Sequence, residues 1–420
     1  MHNSASVTSV TTKRGDATPF VRLITGLVFG NFGVYMATIV PTLILLTFKF
    51  IELTPQNVTA NFSLCAGIGS FVSIVANYVG GYISDRTRWS FGRRRSWIFI
   101  GNLVGAISMV GIGLATSVWA VCLCWSLALT FYYFGIAAVG ALVPDQVEES
   151  KRGTASGILG IFTPVAIMMG MMLMTAINNL PLAMKFNVLA AVSVVTAIIA
   201  CCLIKESPQQ YGDRRKEKSQ SAFFPSPKKY PAFTWGFVTR FLIGVAYSTQ
   251  TFTALFVIQK FNVPQEQVTG IVSLVTLIQT VFLALSGVLG GMLSDKLRKQ
   301  KPFVAGAAIV VAIAIFILAL APSLIYVYIA NAVLGLGYGA YIAVDIALIT
   351  RILPDKKNAA KDFGIMNIAG NLPSSIVPTF SSTLVALGGF PLFFGILAVA
   401  GLLSAAAVAP IPEMSPEPTD

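Results

Sequence analysis

A six-residue motif, Gly-Gly-x-x-Ser-Asp, occurs twice in this chain of 420 residues, at residues 80–85 and 290–295. A Pro-Asp pair follows each copy, at residues 144–145 and 354–355, so both repeats have the same offset (290 − 80 and 354 − 144, or 210 residues). Each copy of these two motifs lies where a long apolar run meets a group of Lys and Arg residues. The pattern predicts a duplicated membrane protein, and repeated membrane halves are typical of alternating-access transport.

The apolar runs between these motifs are long enough to cross a bilayer. Hydrophobic residues make up 55% of the chain, charged residues only 11%, and the mean hydropathy is +0.77. A run of about 20 apolar residues spans a bilayer as a helix. The sequence therefore predicts an all-α membrane protein with twelve transmembrane helices in two pseudo-symmetric six-helix halves. The predicted spans are 20–47, 57–83, 96–115, 118–143, 154–177, 182–204, 233–259, 268–293, 303–321, 324–350, 364–386 and 390–409.

The basic residues indicate how the bundle is oriented. Of 29 Lys and Arg residues, only Lys49, Lys185 and Lys260 fall in loops or at helix ends on one predicted side. The other 26 (29 − 3) fall on the opposite side, together with both termini. Because positively charged loops remain in the cytoplasm, we expect both termini there and a multi-pass protein of the plasma (cytoplasmic) membrane. The formal net charge of +12 is then a signal of topology, and we expect no nucleic-acid partner.

Composition divides the chain into five parts. The polar, Lys- and Pro-containing segment 205–232 reads as a cytoplasmic linker between the halves. It separates a first six-helix half, 20–204, from a second, 233–409. Residues 1–19 and 410–420 are predicted to be cytoplasmic tails.

The charged loop after the second span is predicted to act as a gate. Asp85 ends a helix at its negative dipole end, where a carboxylate is unfavourable unless arginines or another helix N-terminus satisfy it. The eleventh span starts on the same side, so Asp85 could contact it, and Asp295 could likewise contact the fifth span. The alternative is a charge cluster that only orients the loops. The predicted gating residues are Gly81, Asp85, Arg86, Arg93, Arg94, Asp145, Gly291 and Asp295.

The amino-acid sequence of these loops resembles that of a known superfamily. The first loop reads Asp-Arg-Thr-Arg from residue 85 and Gly-Arg-Arg-Arg from residue 92, and a weaker copy, Ser-Asp-Lys-Leu-Arg, starts at residue 294. The fourth span ends in Ala-Leu-Val-Pro-Asp from residue 141, followed by Arg-Gly-Thr-Ala-Ser-Gly from residue 152. This resembles the major facilitator superfamily, and within it the branch of glycoside–pentoside–hexuronide:cation symporters and plant sucrose transporters. The resemblance implies the twelve-span fold, secondary transport and the gating role.

One departure from that branch concerns the coupling ion. Its sodium-coupled members place carboxylates in the second span, whereas this chain has no Asp or Glu between Gln56 and Ile83. We therefore expect a proton as the coupling ion, and no cofactor or metal.

Asp345 is the one acidic residue, of seventeen, that falls well inside a predicted span. It lies about 8 Å from the cytoplasmic end of that span at 1.5 Å per residue. A carboxylate inside a membrane is costly and is a functional hypothesis by default. We predict that Asp345 carries the coupling proton; the alternative is a structural carboxylate paired with a basic residue. Arg22 and Arg240, near the starts of the first and seventh spans, are possible charge partners, unless both extend to the membrane surface.

Polar and aromatic residues within the spans supply candidates for the solute cavity. Aromatic faces with amide groups suit sugars, which present apolar ring faces and hydroxyl edges. The same amides could instead join helix to helix. The candidates are Asn31, Tyr35, Asn77, Tyr132, Tyr133, Tyr247, Gln250, Gln279, Asn331, Tyr338 and Tyr341.

These features predict a monomeric secondary transporter for a small solute, working by alternating access. The first hypothesis is proton-coupled symport of a sugar or glycoside. The second is a proton-coupled exporter of hydrophobic drugs or metabolites, and the third is a non-transporting receptor or assembly factor on the same fold. No ATP-binding G-x-x-x-x-G-K-[ST] motif, metal-ligand cluster or nucleophile–base arrangement is present in the sequence, so we expect no enzyme.

Overall fold

The computed structural model of this chain describes residues 18–206, 224–297, 300–354 and 359–412. Every regular element in these residues is helical, which confirms the predicted all-α class. The α-helices are α1 (Phe20–Val40), α2 (Leu46–Leu53), α3 (Val58–Arg86), α4 (Arg93–Leu114), α5 (Val118–Gln146), α6 (Arg152–Ala176), α7 (Leu182–Leu203), α8 (Pro231–Tyr247), α9 (Thr253–Phe261), α10 (Gln265–Leu297), α11 (Lys301–Ala319), α12 (Leu324–Ile352), α13 (Ala359–Asn371) and α14 (Pro373–Ala407).

Eleven helical stretches within the described residues are long and apolar enough to cross a membrane. The last, Asp362–Ala407, has 46 residues, about 69 Å if it were one straight helix and more than twice the thickness of a bilayer core. It is interrupted at Gly388 and Gly389, where Gly389 has a φ of +67°. This break falls between the predicted spans 364–386 and 390–409. The total of twelve crossings and their orientation stay predictions.

The first and seventh spans are irregular at matching places. A π-helical turn, Pro41–Leu45, joins α1 to α2, and a 3₁₀ turn, Ser248–Phe252, joins α8 to α9. Such turns inside long helices release backbone groups from the regular pattern and are frequent at functional sites. Pro373 begins α14, with only Leu372 between it and the end of α13, whereas Pro164, nearly equivalent in the repeat, lies inside the unbroken α6.

Glycine lets neighbouring helices approach closely in each half. A Cβ atom on Gly101 of α4 would lie 2.5 Å from the carbonyl oxygen of Phe131 in α5. A Cβ atom on Gly335 of α12 would lie 2.5 Å from the carbonyl oxygen of Gln279 in α10. Helix association in lipid depends on such close packing, because apolar burial provides little driving force there.

The two ends of the bundle differ in how the halves meet. We call the end that carries Arg86, Arg93–Arg95 and Arg152 the basic end, and the opposite end the far end. Within the described part of the chain, four hydrogen bonds between side chains or carbonyl groups of the two halves lie at the far end. They join Ser63 to Ser381 (2.7 Å), Gln259 to Thr59 (3.0 Å), Asn178 to the carbonyl of Glu266 (2.8 Å) and Thr175 to Ser273 (2.7 Å).

Nearer the basic end, the hydroxyl of Tyr78 donates to the carbonyl of Gly364 at 3.3 Å and is exposed. By contrast, the Ser63–Ser381 pair at the far end is buried. Among the residues that the structure describes, more hydrogen bonds between the halves therefore lie at the far end than near the basic end.

Candidate functional site

An ion pair in the second half joins two spans. Nε of Arg240, more than two turns inside α8, lies 3.5 Å from Oδ2 of Asp345 on α12. Asp345 is only 6% exposed, so the charge is withdrawn from water. A Cβ atom on Gly370 of α13 would lie 3.3 Å from Nε of Arg240, so the absence of a side chain there leaves room for the guanidinium group. Three spans thus enclose the pair.

Three tyrosines lie near this ion pair on the same two helices, α8 and α12. The rings of Tyr247 and Tyr338 are stacked with their centroids 3.4 Å apart and their planes at 12°. Tyr341 is one turn from Asp345, and its ring is parallel to that of Tyr338 with centroids 6.4 Å apart. Nε2 of Gln279 on α10 lies 3.5 Å from the hydroxyl of Tyr247. The second half therefore combines a charge pair, flat aromatic rings and an amide.

A second polar cluster lies in the first half. Tyr35 of α1 interacts with the side chain of Thr163 on α6 and with Tyr133 on α5. Tyr133 in turn interacts with Ser73 on α3. Oδ1 of Asn31, one turn before Tyr35, is buried without a hydrogen-bond partner in the described part of the chain. A buried acceptor without a partner is costly, so this carbonyl oxygen stays a candidate acceptor for a solute hydroxyl group.

Other cavity candidates lie elsewhere. Tyr132 is fully buried and its hydroxyl is 3.0 Å from that of Ser193 on α7, inside the packing of the first half. Asn331 donates to the carbonyl of Val327 in its own helix at 2.8 Å. Asn77 is exposed on α3, and Gln250 falls in the 3₁₀ turn after α8. The structure thus brings together only part of the predicted set.

The two arginines proposed as charge partners behave differently. Arg22 donates from Nη2 to the carbonyl of Cys202 at the end of α7, at 2.9 Å. It helps to hold two helix ends of the first half together, whereas Arg240 pairs with Asp345.

The ion pair is specific to the second half. At the repeat offset of 210 residues, Asp345 corresponds to Gly135 (345 − 210) and Arg240 to Gly30 (240 − 210). Both positions of the charge pair are therefore glycines in the first half. The two halves thus differ in the polar residues that they carry inside the spans.

A charge cluster at the basic end centres on Arg94, which is 3% exposed. Its Nη2 lies 2.6 Å from Asp85, its Nε lies 3.2 Å from Asp145, and its Nη1 donates to Ser84. Nη2 of Arg93 adds a contact of 2.8 Å to Asp145. The cluster joins α3, α4 and α5 within the first half.

The predicted contact of Asp85 with the start of the eleventh span would link the halves at the basic end. In this conformation the described hydrogen-bond partner of Asp85 is Arg94, in its own half. The gate lock between the halves therefore stays a prediction.

The remaining gating residues are placed as follows. The guanidinium of Arg86 lies over the ring of Tyr82, 3.4 Å from its centroid. Gly81 and Gly291 have space around them, since a Cβ atom would meet nothing within 4 Å at Gly81 and only an ordinary contact at Gly291. The side chain of Asp295 lies outside the described residues.

Glu206 is a site residue that sequence reasoning missed, because it falls in the predicted linker. Its carboxylate accepts hydrogen bonds from the backbone N–H of Arg94 at 2.8 Å and of Arg95 at 3.1 Å. These are the first residues of α4, whose N–H groups have no partner within the helix. The carboxylate therefore caps α4 and ties the start of the linker to the charge cluster.

Replacing Gly92 by Ala is expected to destabilise this cap. Gly92 has a φ of +115°, and a Cβ atom there would lie 2.6 Å from Oε2 of Glu206. Backbone strain of this kind costs about 1–3 kcal/mol, so we expect the apparent Tm in detergent to fall by several degrees. The matched control is Gly81→Ala, which meets no neighbour. Equal melting of the two variants would contradict the cap.

Comparisons with known proteins agree with this architecture. The family model described as Major Facilitator Superfamily matches residues 20–287 and 237–419. Among curated protein sequences, none matches the chain. A solved structure of the nucleoside transporter NupG is 14% identical with a TM-score of 0.72, covering 93% of this chain and 98% of its own. A D-xylose-proton symporter is 17% identical with a TM-score of 0.67, covering 94% and 97%.

A bacterial homologue of the human lysosomal transporter Spinster, in an inward-facing and occupied conformation, is 18% identical with a TM-score of 0.66. The alignment covers 93% of this chain and 94% of that one. At these identities the likeness shows a shared fold.

Proposed function

Because this chain belongs to the Major Facilitator Superfamily, we propose that it is a secondary transporter that moves a sugar or glycoside together with a proton. The observation that carries the proposal is the buried Asp345–Arg240 ion pair beside the stacked rings of Tyr247 and Tyr338. It places a group that can take up a proton next to groups that suit a sugar.

The ion pair offers a direct route to coupling. In a site withdrawn from water, a guanidinium group without an anionic partner is costly. When Asp345 takes up a proton, Arg240 loses the charge of its partner and needs another acceptor. A sugar hydroxyl oxygen can accept that hydrogen bond, so proton binding and sugar binding stabilise the same state.

The surrounding residues suit the rest of a sugar. Tyr247 and Tyr338 cover one face of each other, so a sugar ring can pack against the outer face of this pair, and the amide of Gln279 lies beside it. Across the bundle, the unpaired carbonyl oxygen of Asn31 can accept a hydrogen bond from a hydroxyl group. A few placed polar groups in a largely apolar cavity are the usual design of a small-molecule site.

The difference between the two ends fits alternating access. With the orientation that the basic loops predict, the basic end faces the cytoplasm and the hydrogen-bonded far end faces outwards. The conformation would then be one that releases a solute inwards. In the opposite state, the far-end hydrogen bonds would break and the gate lock of Asp85 would form.

A test of this function uses the protein reconstituted in liposomes that contain a pH-sensitive dye. Mono- and disaccharides are added outside, and internal acidification is followed for the wild type and for Asp345→Asn. We expect a sugar-dependent proton entry that the variant loses, because its amide cannot take up and release the proton. Solute-driven entry equal in both proteins would remove Asp345 from coupling.

If folded wild-type protein responds to no sugar, the sugar proposal is wrong. The same liposomes would then be tested with cationic dyes, where proton-driven efflux would indicate the exporter. A protein that moves neither class, and that tolerates Asp85→Asn without change, would favour the receptor.

A further inference from the structure

The structure contains an apolar cavity of about 430 Å³ between α1 and α6. Its volume lies within the range of about 300–1,000 Å³ that is usual for ligand pockets. Apart from Thr25, its lining side chains are apolar, and they include Ile24, Val28, Phe29, Phe32, Ile158 and Phe162. None of these was a candidate for solute binding on sequence grounds, because apolar residues in a span ordinarily face lipid or the helix core.

The cavity adjoins the polar cluster of the first half. Phe32 lies directly after Asn31 and one turn before Tyr35, and Phe162 directly precedes Thr163, with which Tyr35 interacts. A molecule with its polar part at Asn31 and Tyr35 would therefore have its apolar part next to this cavity.

The cavity lies mainly beside the half of α6 that is nearer the basic end. The basic half of α6 carries Gly153, Gly157 and Gly160, and a Cβ atom on any of them would meet nothing within 4 Å. At the far end, by contrast, α6 and the residues after it are bonded to α10 of the second half through Thr175 and Asn178. A solute that enters the cavity from the basic end would therefore pass the open space beside these glycines.

We propose that the solute of this transporter is an amphipathic glycoside whose apolar aglycone, an alkyl or aryl group, occupies the cavity between α1 and α6. Its sugar lies between Asn31 and Tyr35 of the first half and the tyrosines of the second. This inference rests on the proposed function. In this proposal the first half binds the aglycone, and the charge pair of the second half lies near the sugar. The divergence of the halves supports this difference, since the positions of the charge pair are Gly30 and Gly135 in the first half.

The proposal predicts how the KM for transport depends on the length of the aglycone. Burial of one methylene group contributes enough for about a fourfold gain in affinity. A butyl glycoside has three more methylene groups than a methyl glycoside, and should therefore have a KM at least about tenfold lower if its chain enters the cavity.

The experiment uses the full chain in dye-loaded liposomes. The probes are methyl, butyl and phenyl β-D-glucopyranosides and β-D-galactopyranosides, and the measurement is the KM for proton entry. We expect KM to fall from methyl to butyl and phenyl. The chain-length series on the wild type needs no variant, so it tests the proposal even if a variant fails to fold.

A cavity-filling variant locates the effect. Ile158→Trp is expected to abolish the advantage of the butyl and phenyl glycosides while leaving the KM of the methyl glycoside within about twofold of wild type. The matched control is Ile161→Trp on the same helix, since Ile161 is 66% exposed and does not line the cavity. This control should keep the wild-type series.

The outcomes separate the two proposals. Equal KM values along the wild-type series would overturn the amphipathic solute and leave sugar transport standing. Equal loss of methyl and butyl transport in Ile158→Trp would assign the cavity to a bound lipid chain or to packing, and would also overturn it. If none of the glycosides causes proton entry, both this inference and the proposed function are wrong.

Discussion

Replacing Arg240 by Met is expected to lower kcat/KM for coupled transport at least about 100-fold, equivalent to roughly 3 kcal/mol. The change keeps much of the side-chain volume but leaves the carboxylate of Asp345, 6% exposed, without its cation. A buried charge that loses its partner costs far more than an exposed one. Initial rates of solute-driven proton entry in liposomes measure the effect.

The matched control is Arg22→Met. Arg22 is the arginine near the start of the first span, but it bonds the carbonyl of Cys202 at an exposed position. We expect this variant to transport within about fivefold of wild type, because a single hydrogen bond contributes about 1 kcal/mol. Equal losses in the two variants would show that general damage to the bundle, and not the ion pair, explains the result.

The double variant Asp345→Asn with Arg240→Met separates stability from coupling. Removing both members of a buried charge pair is often nearly neutral for stability, whereas removing one is not. We expect the double variant to recover the apparent Tm that Arg240→Met loses, but to show no solute-driven proton entry. Recovery of coupling in the neutral pair would contradict the assigned role of Asp345.

The helices were predictable because of the membrane itself. Inside a bilayer every backbone N–H and C=O group must be bonded within the protein, so a long apolar run has little choice but to form a helix. The positions of the charge motifs followed from the duplication. Even the break at Gly388 and Gly389 matches the gap between two predicted spans.

The partner of Asp345 was not predictable, because the sequence offered two arginines at similar places in the repeat. Which one reaches the carboxylate depends on how far each lies along its helix and on what stands beside it. Arg240 lies deeper in α8 and passes Gly370, whereas Arg22 lies at the start of α1 beside the end of α7. Such information resides in packing between spans, which a single sequence does not encode locally.

The burial of charged residues near the predicted span ends was not predicted either. Asp362 fell just outside the predicted eleventh span, yet it lies in α13 and is only 3% exposed. Lys49 was placed at a loop or helix end on the outer side, yet it is 4% exposed and donates to the carbonyl of Gly113 at 3.2 Å. Hydropathy locates the middle of a span well, but whether a charge at its end is covered depends on neighbouring helices.

The polar candidates show the same limit. Tyr132 and Tyr133 are adjacent in sequence, but the first bonds Ser193 inside the first half while the second joins Tyr35. An amide or hydroxyl group in a span can serve a cavity or join helices, and periodicity alone does not distinguish the two.

A disulfide across the far end is expected to stop transport completely and reversibly. The hydroxyl groups of Ser63 on α3 and Ser381 on α14 are buried and point at each other, with their oxygens 2.7 Å apart, so cysteine sulfurs at these positions need to move by less than about 1 Å to reach the S–S bond length of about 2.05 Å. Ser63→Cys with Ser381→Cys, in a background whose five native cysteines are replaced by alanine, would join the halves at this point when oxidised. Because alternating access requires the far end to open, the oxidised protein should not transport, and a reducing agent should restore the activity.

The crosslink itself can be verified independently of activity. A protease site placed in the segment 205–232 allows the two halves to separate on a gel unless the disulfide joins them. Each single-cysteine variant, treated with the same oxidant, serves as the control and should keep the transport rate of the background. Undiminished transport by protein that runs as a crosslinked species would contradict an opening movement at this end, since a fixed far end leaves a solute only one route in and out.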